Sequence, residues 1–193
     1  MVNLPRRTSV PESSRAGVRR EGDIPDHVVM MGVSGCGKTT VARAYAEACG
    51  LEMADADDFH TEENVRKMAS GQPLSDVDRH PWLVSVRDWM TSRAEAGVGT
   101  VTACSALRRS YRNILADAVG TVWFVHLTTD AGLTRRRLEE RTGHFMSAAL
   151  LNSQLETLEP LGPGEKGITV DNSGSLDEVV ATICRSTGRN RRK

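Results

Sequence analysis

A chain of 193 residues with 39% hydrophobic side chains suits one domain with a sizeable core and is short for most helicases and motors. Its 25 basic and 25 acidic side chains cancel, yet five Arg against three acids fall in residues 1–25, and four Arg with one Lys in residues 185–193, leaving 15 basic against 22 acidic side chains (net −7) in residues 26–184. That acidic body argues against nucleic-acid binding, no apolar run approaches the roughly 18 residues of a membrane span, and Cys36, Cys49, Cys104 and Cys184 lack the spacing of a zinc site or a disulfide scaffold.

These signals place the chain in the cytosol. Residues 1–25 carry Pro, Ser, Arg and Gly without apolar periodicity or a signal-peptide core, and read as a disordered extension. Val28-Val29-Met30-Met31 predicts a short buried strand. It runs into Gly32-Val33-Ser34-Gly35-Cys36-Gly37-Lys38-Thr39-Thr40, the G-x-x-x-x-G-K-T phosphate-binding loop. Val41 to Cys49 predicts the following helix, with alanines at positions 42, 44, 46 and 48 and Gly50 as its stop. Strand, loop and helix together are the context in which backbone N–H groups and a helix dipole cradle phosphate. Lys38 then reaches the β- and γ-phosphates of ATP, and the Thr39 hydroxyl sits on Mg²⁺.

Leu51 to Ala54 predicts a second strand, ending in the acidic run Asp55-Ala56-Asp57-Asp58-Phe59-His60. Ligands gather where strands of an open α/β sheet end, so this run is well placed. Thr61 to Ser70 is expected as a helix closed by Gly71-Gln72-Pro73. Residues 74–83 are expected as a polar loop feeding a helix to about Ala96, with Pro81 in its first turn and Trp82, Val86, Trp89 and Met90 on one core-facing side. Strands follow at Thr100–Cys104 and Thr121–Leu127, the latter suited to the centre of a parallel sheet, with a helix to Ala118 between them. Helices at 130–142 and from Ser147 to about Leu158, a fifth strand at Gly167–Val170 and a last helix at Leu176–Cys184 complete the pattern. The alternation predicts an α/β protein: a three-layer α/β/α sandwich on a five-stranded, mostly parallel sheet, with one folded domain over 26–184, a helical segment near 134–146 within it, and a basic tail over 185–193.

No N-K-x-D guanine-reading motif and no L-S-G-G-Q-type signature is present, which counts against GTPases and transporter ATPases. An Arg-rich helix in the second half suits a small-molecule or nucleotide kinase with a lid that excludes water from ATP.

The chain resembles the small P-loop gluconokinases. The stretch Lys67-Met68-Ala69-Ser70-Gly71-Gln72-Pro73-Leu74 continuing through Asp76, Asp78, Arg79, Pro81, Trp82 and Leu83 is the most specific. Asp55 to His60, Cys104-Ser105-Ala106-Leu107 with Tyr111-Arg112, and Gly143-His144-Phe145-Met146 with Ser153 to Glu159 add to it, in the family's order. The resemblance implies a shikimate-kinase-like fold, a homodimer in many members, and ATP-dependent phosphorylation of D-gluconate at its 6-hydroxyl. Three features depart from the family's pattern: Thr61 where Pro is common, Cys36 where Ser is usual, and the 25-residue extension. The nearest alternatives are a kinase for another hydroxy acid such as shikimate and, from another class, a non-catalytic nucleotide-binding regulator.

Phosphoryl transfer needs positioning and charge neutralisation. Asp57 is the expected base on the sugar hydroxyl and Asp55 the expected holder of the metal's water ligands, although the two can exchange roles. A substrate carrying a carboxylate and several hydroxyls points to Arg79, Lys67 and His60, with His144 and Gln154 joining on closure. Arg137 and Arg141, four apart on one helix face, match an R-L-x-x-R lid pair, Arg137 over adenine and Arg141 on the transferring phosphate. Asp171-Asn172-Ser173 is either a flank for adenine or simply a turn, and Cys36, although a helix N-terminus can activate a thiol, reads first as a small tolerated side chain.

Overall fold

The computed structural model describes residues 26–130, 132, 134 and 148–191. The extension at 1–25 and the expected lid residues Arg137, Arg141 and His144 lie outside the described residues.

Five strands, β1 (His27–Met31), β2 (Glu52–Asp55), β3 (Thr100–Ala103), β4 (Val122–Thr128) and β5 (Gly167–Asp171), form one sheet in the order β2-β3-β1-β4-β5. Every pairing is parallel, with His27 of β1 in register with Thr100 on one side and Val122 on the other. Central parallel strands are covered on both faces, which explains why all five residues of β1 are buried. Val28 and Met30 face one core, with α1 (Lys38–Cys49) and the last helix. Val29 and Met31 face the other, with α3 (Asp76–Glu95) and α4 (Arg109–Ala116). β1 therefore holds the centre, and β4, expected there, lies beside it with a neighbour on each side.

Between β2 and α3 come a 3₁₀ turn at Ala56–Phe59 and α2 (Glu62–Ala69). Thr61, the departure from the family's Pro, caps α2 by accepting the Asn64 N–H at 3.2 Å. α3 begins five residues before Pro81. Ser75 and Asp78 form a reciprocal capping box that fixes the helix start at Asp76. Pro81 lies inside the helix, where it lacks the N–H that would bond the Val77 carbonyl. The expected polar loop at 74–83 is thus mostly helix, because the capping box outweighs the proline.

α5 (Ala148–Thr157) places Leu151 in the first core. α6 (Leu176–Thr187) extends three residues beyond the expected end at Cys184 and closes on Gly188 in the left-handed region. The residues after it fold back: the Arg191 guanidinium pairs with Asp177 at 2.8 Å and that of Arg189 packs against Gly99. All four cysteines are free thiols, with the Cys49 and Cys184 sulfurs 3.4 Å apart where α1 meets α6.

The connection from β1 leaves toward β3 and β2, and that from β4 leaves toward β5. Such a divergence opens a crevice at the carboxyl ends of the strands. The phosphate loop and the acidic turn both lie at strand carboxyl ends on this rim.

Candidate active site

The loop after β1 turns through Gly32, Gly35 and Gly37, all at positive φ. Gly32 has the tightest requirement. A Cβ there would meet the Leu127 carbonyl oxygen at 2.7 Å and the Cys36 sulfur at 3.0 Å. Gly37, left-handed at φ 94°, opens α1 with no side-chain cap and no acidic residue in the first turn. The first N–H groups of α1 thus face an anion site with no carboxylate of the helix's own beside them.

Distant elements pin this loop. The Ser105 carbonyl accepts the Gly32 N–H at 3.2 Å. Asn172, after β5, donates its side-chain amide to the Cys36 carbonyl at 2.7 Å, so the expected adenine-flanking residue braces the loop. Gln154 of α5 accepts the Ser34 N–H at 2.7 Å, which places it on the phosphate loop. Lys38 folds back to the Val33 carbonyl at 3.0 Å. The Cys36 side chain is fully buried, which favours the reading of a small packed residue over that of a reactive thiol.

The β2 strand delivers Asp55 to the same rim. One of its carboxylate oxygens accepts the Thr39 hydroxyl at 2.9 Å and the other accepts the Asp57 N–H at 3.2 Å, capping the 3₁₀ turn. The expected metal pair is thereby brought together. A hydroxyl and a carboxylate are hard oxygen donors, and with water and phosphate they fit Mg²⁺, which retains several water ligands. The Asp57 side chain itself is 87% exposed. Its pKa is raised, first by the protein bulk around the rim and then by the charge of Asp55, against the pull of His60 and Lys38. With so much of the carboxylate in water, solvent screens this shift heavily.

Trp82 of α3 holds both ends of the acidic turn. Its indole N–H donates to the Ala56 carbonyl at 2.6 Å, and its ring stacks on His60 with centroids 4.3 Å apart. His60 is 5% exposed in its side chain and lies 4.0 Å from the Asp57 carboxylate, and burial lowers its pKa.

Of the expected substrate cations, Lys67 is committed elsewhere. Its ammonium bonds Asp78 at 2.6 Å, tying α2 to the capping box of α3. Arg79 lies on the first turns of α3, 3.3 Å from the Tyr111 hydroxyl and 3.5 Å from Asp76. Arg108, absent from the sequence-based candidates, pairs with the other oxygen of Asp76 at 2.7 Å. Beneath this group lies Arg112, which is 1% exposed and pairs through two nitrogens with Glu165 while also donating to the Ala106, Leu107 and Glu159 carbonyls. The Tyr111-Arg112 pair was readable as a family motif, but its partners 35 and 53 residues away were not.

The family model described as AAA domain matches residues 28–161. Gluconokinase from Gluconobacter oxydans (strain 621H) is 46% identical over 161 residues, covering 83% of this chain and 90% of its own. A sugar kinase from Janibacter sp. HTCC2649 superposes with a TM-score of 0.80 at 47% identity, covering 84% of this chain and 94% of its own. A gluconokinase from Sinorhizobium meliloti 1021 gives 0.77 at 40% identity, covering 86% and 93%. A phosphate loop joined to an acidic turn, carried on this fold and shared at such identity across most of the sequence, makes the chain a member of the gluconokinase family of P-loop kinases.

Proposed function

We propose that the enzyme transfers the γ-phosphoryl group of ATP to the 6-hydroxyl of D-gluconate, giving 6-phospho-D-gluconate and ADP. Family membership supports the substrate, and the observation that carries the reaction class is the meeting of Thr39, Asp55 and the Asp57 backbone in one hydrogen-bonded unit beside the phosphate loop. Asp55 already spends both oxygens on Thr39 and the Asp57 N–H, whereas the Asp57 carboxylate stands open to the cleft. That difference supports Asp57 as the base and Asp55 as the group that orients a metal's water ligands.

In the transfer, the sugar O6–phosphorus bond forms, the bond from phosphorus to the ADP oxygen breaks, and the hydroxyl proton passes to Asp57. Mg²⁺, when bound, neutralises charge on the phosphates. Lys38 exchanges its bond to the Val33 carbonyl for the phosphates, while the loop from Gly32 to Thr40 wraps them, with the N–H groups at the start of α1 facing them. Arg137 is assigned to the adenine, Arg141 to the transferring phosphate and His144 to the substrate. We place the enzyme in the cytoplasm as a homodimer, which sedimentation at micromolar concentration tests directly.

The deciding experiment couples ATP, Mg²⁺ and D-gluconate to 6-phosphogluconate dehydrogenase, with shikimate assayed in parallel. Turnover on gluconate alone, lost in Lys38→Ala and lowered about 10²- to 10⁴-fold in Asp57→Asn, is expected. The activity of Asp57 needs its charged form, so kcat/KM is expected to fall with acidification through a value above the ordinary 3.8. Full activity in Asp57→Asn would move the base elsewhere.

A further inference from the structure

Tyr111 is flanked by two guanidinium groups. That of Arg79, from α3, lies 5.7 Å from the ring centroid, and that of Arg108, from the residue preceding α4, lies 5.8 Å from it. Asp76 joins all three: it accepts the Tyr111 hydroxyl at 2.5 Å, Arg108 at 2.7 Å and Arg79 at 3.5 Å. Two cations thus share one carboxylate, and among the described residues no other carboxylate pairs with either. The group keeps one surplus positive charge and several unspent N–H donors in fixed planes.

The segment carrying Arg108 is held in an unfavourable shape. Ala106, two residues before it, has φ 41°, the one positive value at a non-glycine among the described residues. The buried Arg112 holds that conformation from below by donating to the Ala106 and Leu107 carbonyls at 3.1 and 3.2 Å. Strain maintained by a buried ion pair marks a segment shaped for a task rather than for packing alone. Arg79 lies one helical turn before Trp82, whose ring stacks on His60, itself 4.0 Å from Asp57, so the cationic group stands along the same cleft as the expected base.

We propose that Arg79 and Arg108, set on Tyr111 and aligned by Asp76, form the subsite for the carboxylate of the sugar acid, and that Arg108 decides for acids against neutral polyols. The inference rests on the proposed function for the identity of the substrate. A six-carbon acid reaching Asp57 with its terminal hydroxyl presents its carboxylate at the opposite end, where a planar pair of forks matches it. A polyol of the same length keeps every hydroxyl contact and loses only this one.

The test compares D-gluconate with D-glucitol, its carboxylate-free counterpart, as substrate or as competitive inhibitor, in wild type, Arg108→Met and Arg108→Lys. Arg108→Met is expected to raise KM for gluconate roughly 10- to 100-fold. The preference for gluconate over glucitol should fall by the same factor, with KM for ATP and the constant for glucitol unchanged. Arg108→Lys, which keeps the charge beside Asp76 and loses the fork, should lie between. Equal weakening of gluconate and glucitol, or an unchanged preference in either folded variant, would overturn the proposal. Should wild type leave gluconate unphosphorylated, the proposed function fails on its own; calorimetric titration of matched hydroxy acids and polyols into the same variants then still decides whether Arg108 selects carboxylates.

Discussion

Gly32 shows how little room the phosphate loop leaves for change. Its φ of 135° suits glycine, and a methyl group there would lie 2.7 Å from the Leu127 carbonyl oxygen of β4. Gly32→Ala is therefore expected to cost about 1–3 kcal/mol in thermal or denaturant unfolding. Because the strand and loop must part to admit the methyl, nucleotide affinity should fall at least about tenfold by titration, the equivalent of roughly 1.4 kcal/mol. Native affinity in a folded variant would mean that the loop adapts its path without β4. The neighbouring Cys36 sulfur fills the space under this glycine.

At the scale of elements, α3 joins scaffold to chemistry. Its capping box sets where the helix begins, which puts Arg79 in reach of Asp76 and turns Trp82 toward the acidic turn. Trp82→Phe keeps an aromatic ring beside His60 and removes the donor to the Ala56 carbonyl. A loss of about 1 kcal/mol in stability is expected. A several-fold fall in kcat with KM for ATP unchanged should accompany it, since the turn that aims Asp57 is loosened while the phosphate loop is not. A stability loss with native kcat would leave Trp82 as core packing alone. The sequence made the strands, the phosphate loop and the acidic turn readable, because each is encoded by short-range pattern: apolar runs, glycine spacing, and acids directly after a strand. The start of α3 differs from the expected one because the Ser75–Asp78 cap outweighs Pro81, although both signals are local. Other features were beyond the sequence for a different reason. Gln154 meets Ser34 across 120 residues and Asn172 meets Cys36 across 136, and such contacts are fixed only by the packing of whole layers. Arg108 was not legible either, because an arginine before a helix reads as a solvated cation until Asp76 and Tyr111 are beside it.

Across the whole molecule, buried charge and buried imidazole set the response to acid and to mutation. Removing one partner of the Arg112–Glu165 pair leaves the other without its countercharge. Arg112→Met is expected to cost about 3–5 kcal/mol, measured as a shift in denaturant midpoint, against near-native stability if the pair were dispensable. His27, His60 and His126 all have folded pKa values lowered from the ordinary 6.5, chiefly by burial. As pH falls below 6.5 the unfolded chain takes up protons that the native state refuses, so the stability these residues hold at neutral pH is lost progressively in that window. Each contributes a slope of at most about 1.4 kcal/mol per pH unit. Glu165 adds a lower window: the hydrogen bond from Arg112 holds its pKa below 4.5, so the stability it supplies is present above that value and lost beneath it. Unfolding curves between pH 7 and 5 should flatten in His27→Gln, and an unaltered slope would show that His27 carries none of the effect.

The central place of β1 also dictates when this protein can fold. β1 precedes both of its neighbours in the chain, and the nearer, β3, pairs with it across 73 residues. During synthesis its run of Val28, Val29, Met30 and Met31 must wait for β3 and then β4 before either edge is satisfied. Loop-closure entropy opposes both pairings until the intervening helices have formed, so slow acquisition of the sheet is built into the topology. A nascent chain halted before β4 would leave one edge of β1 unpaired, open to other strands and to chaperones.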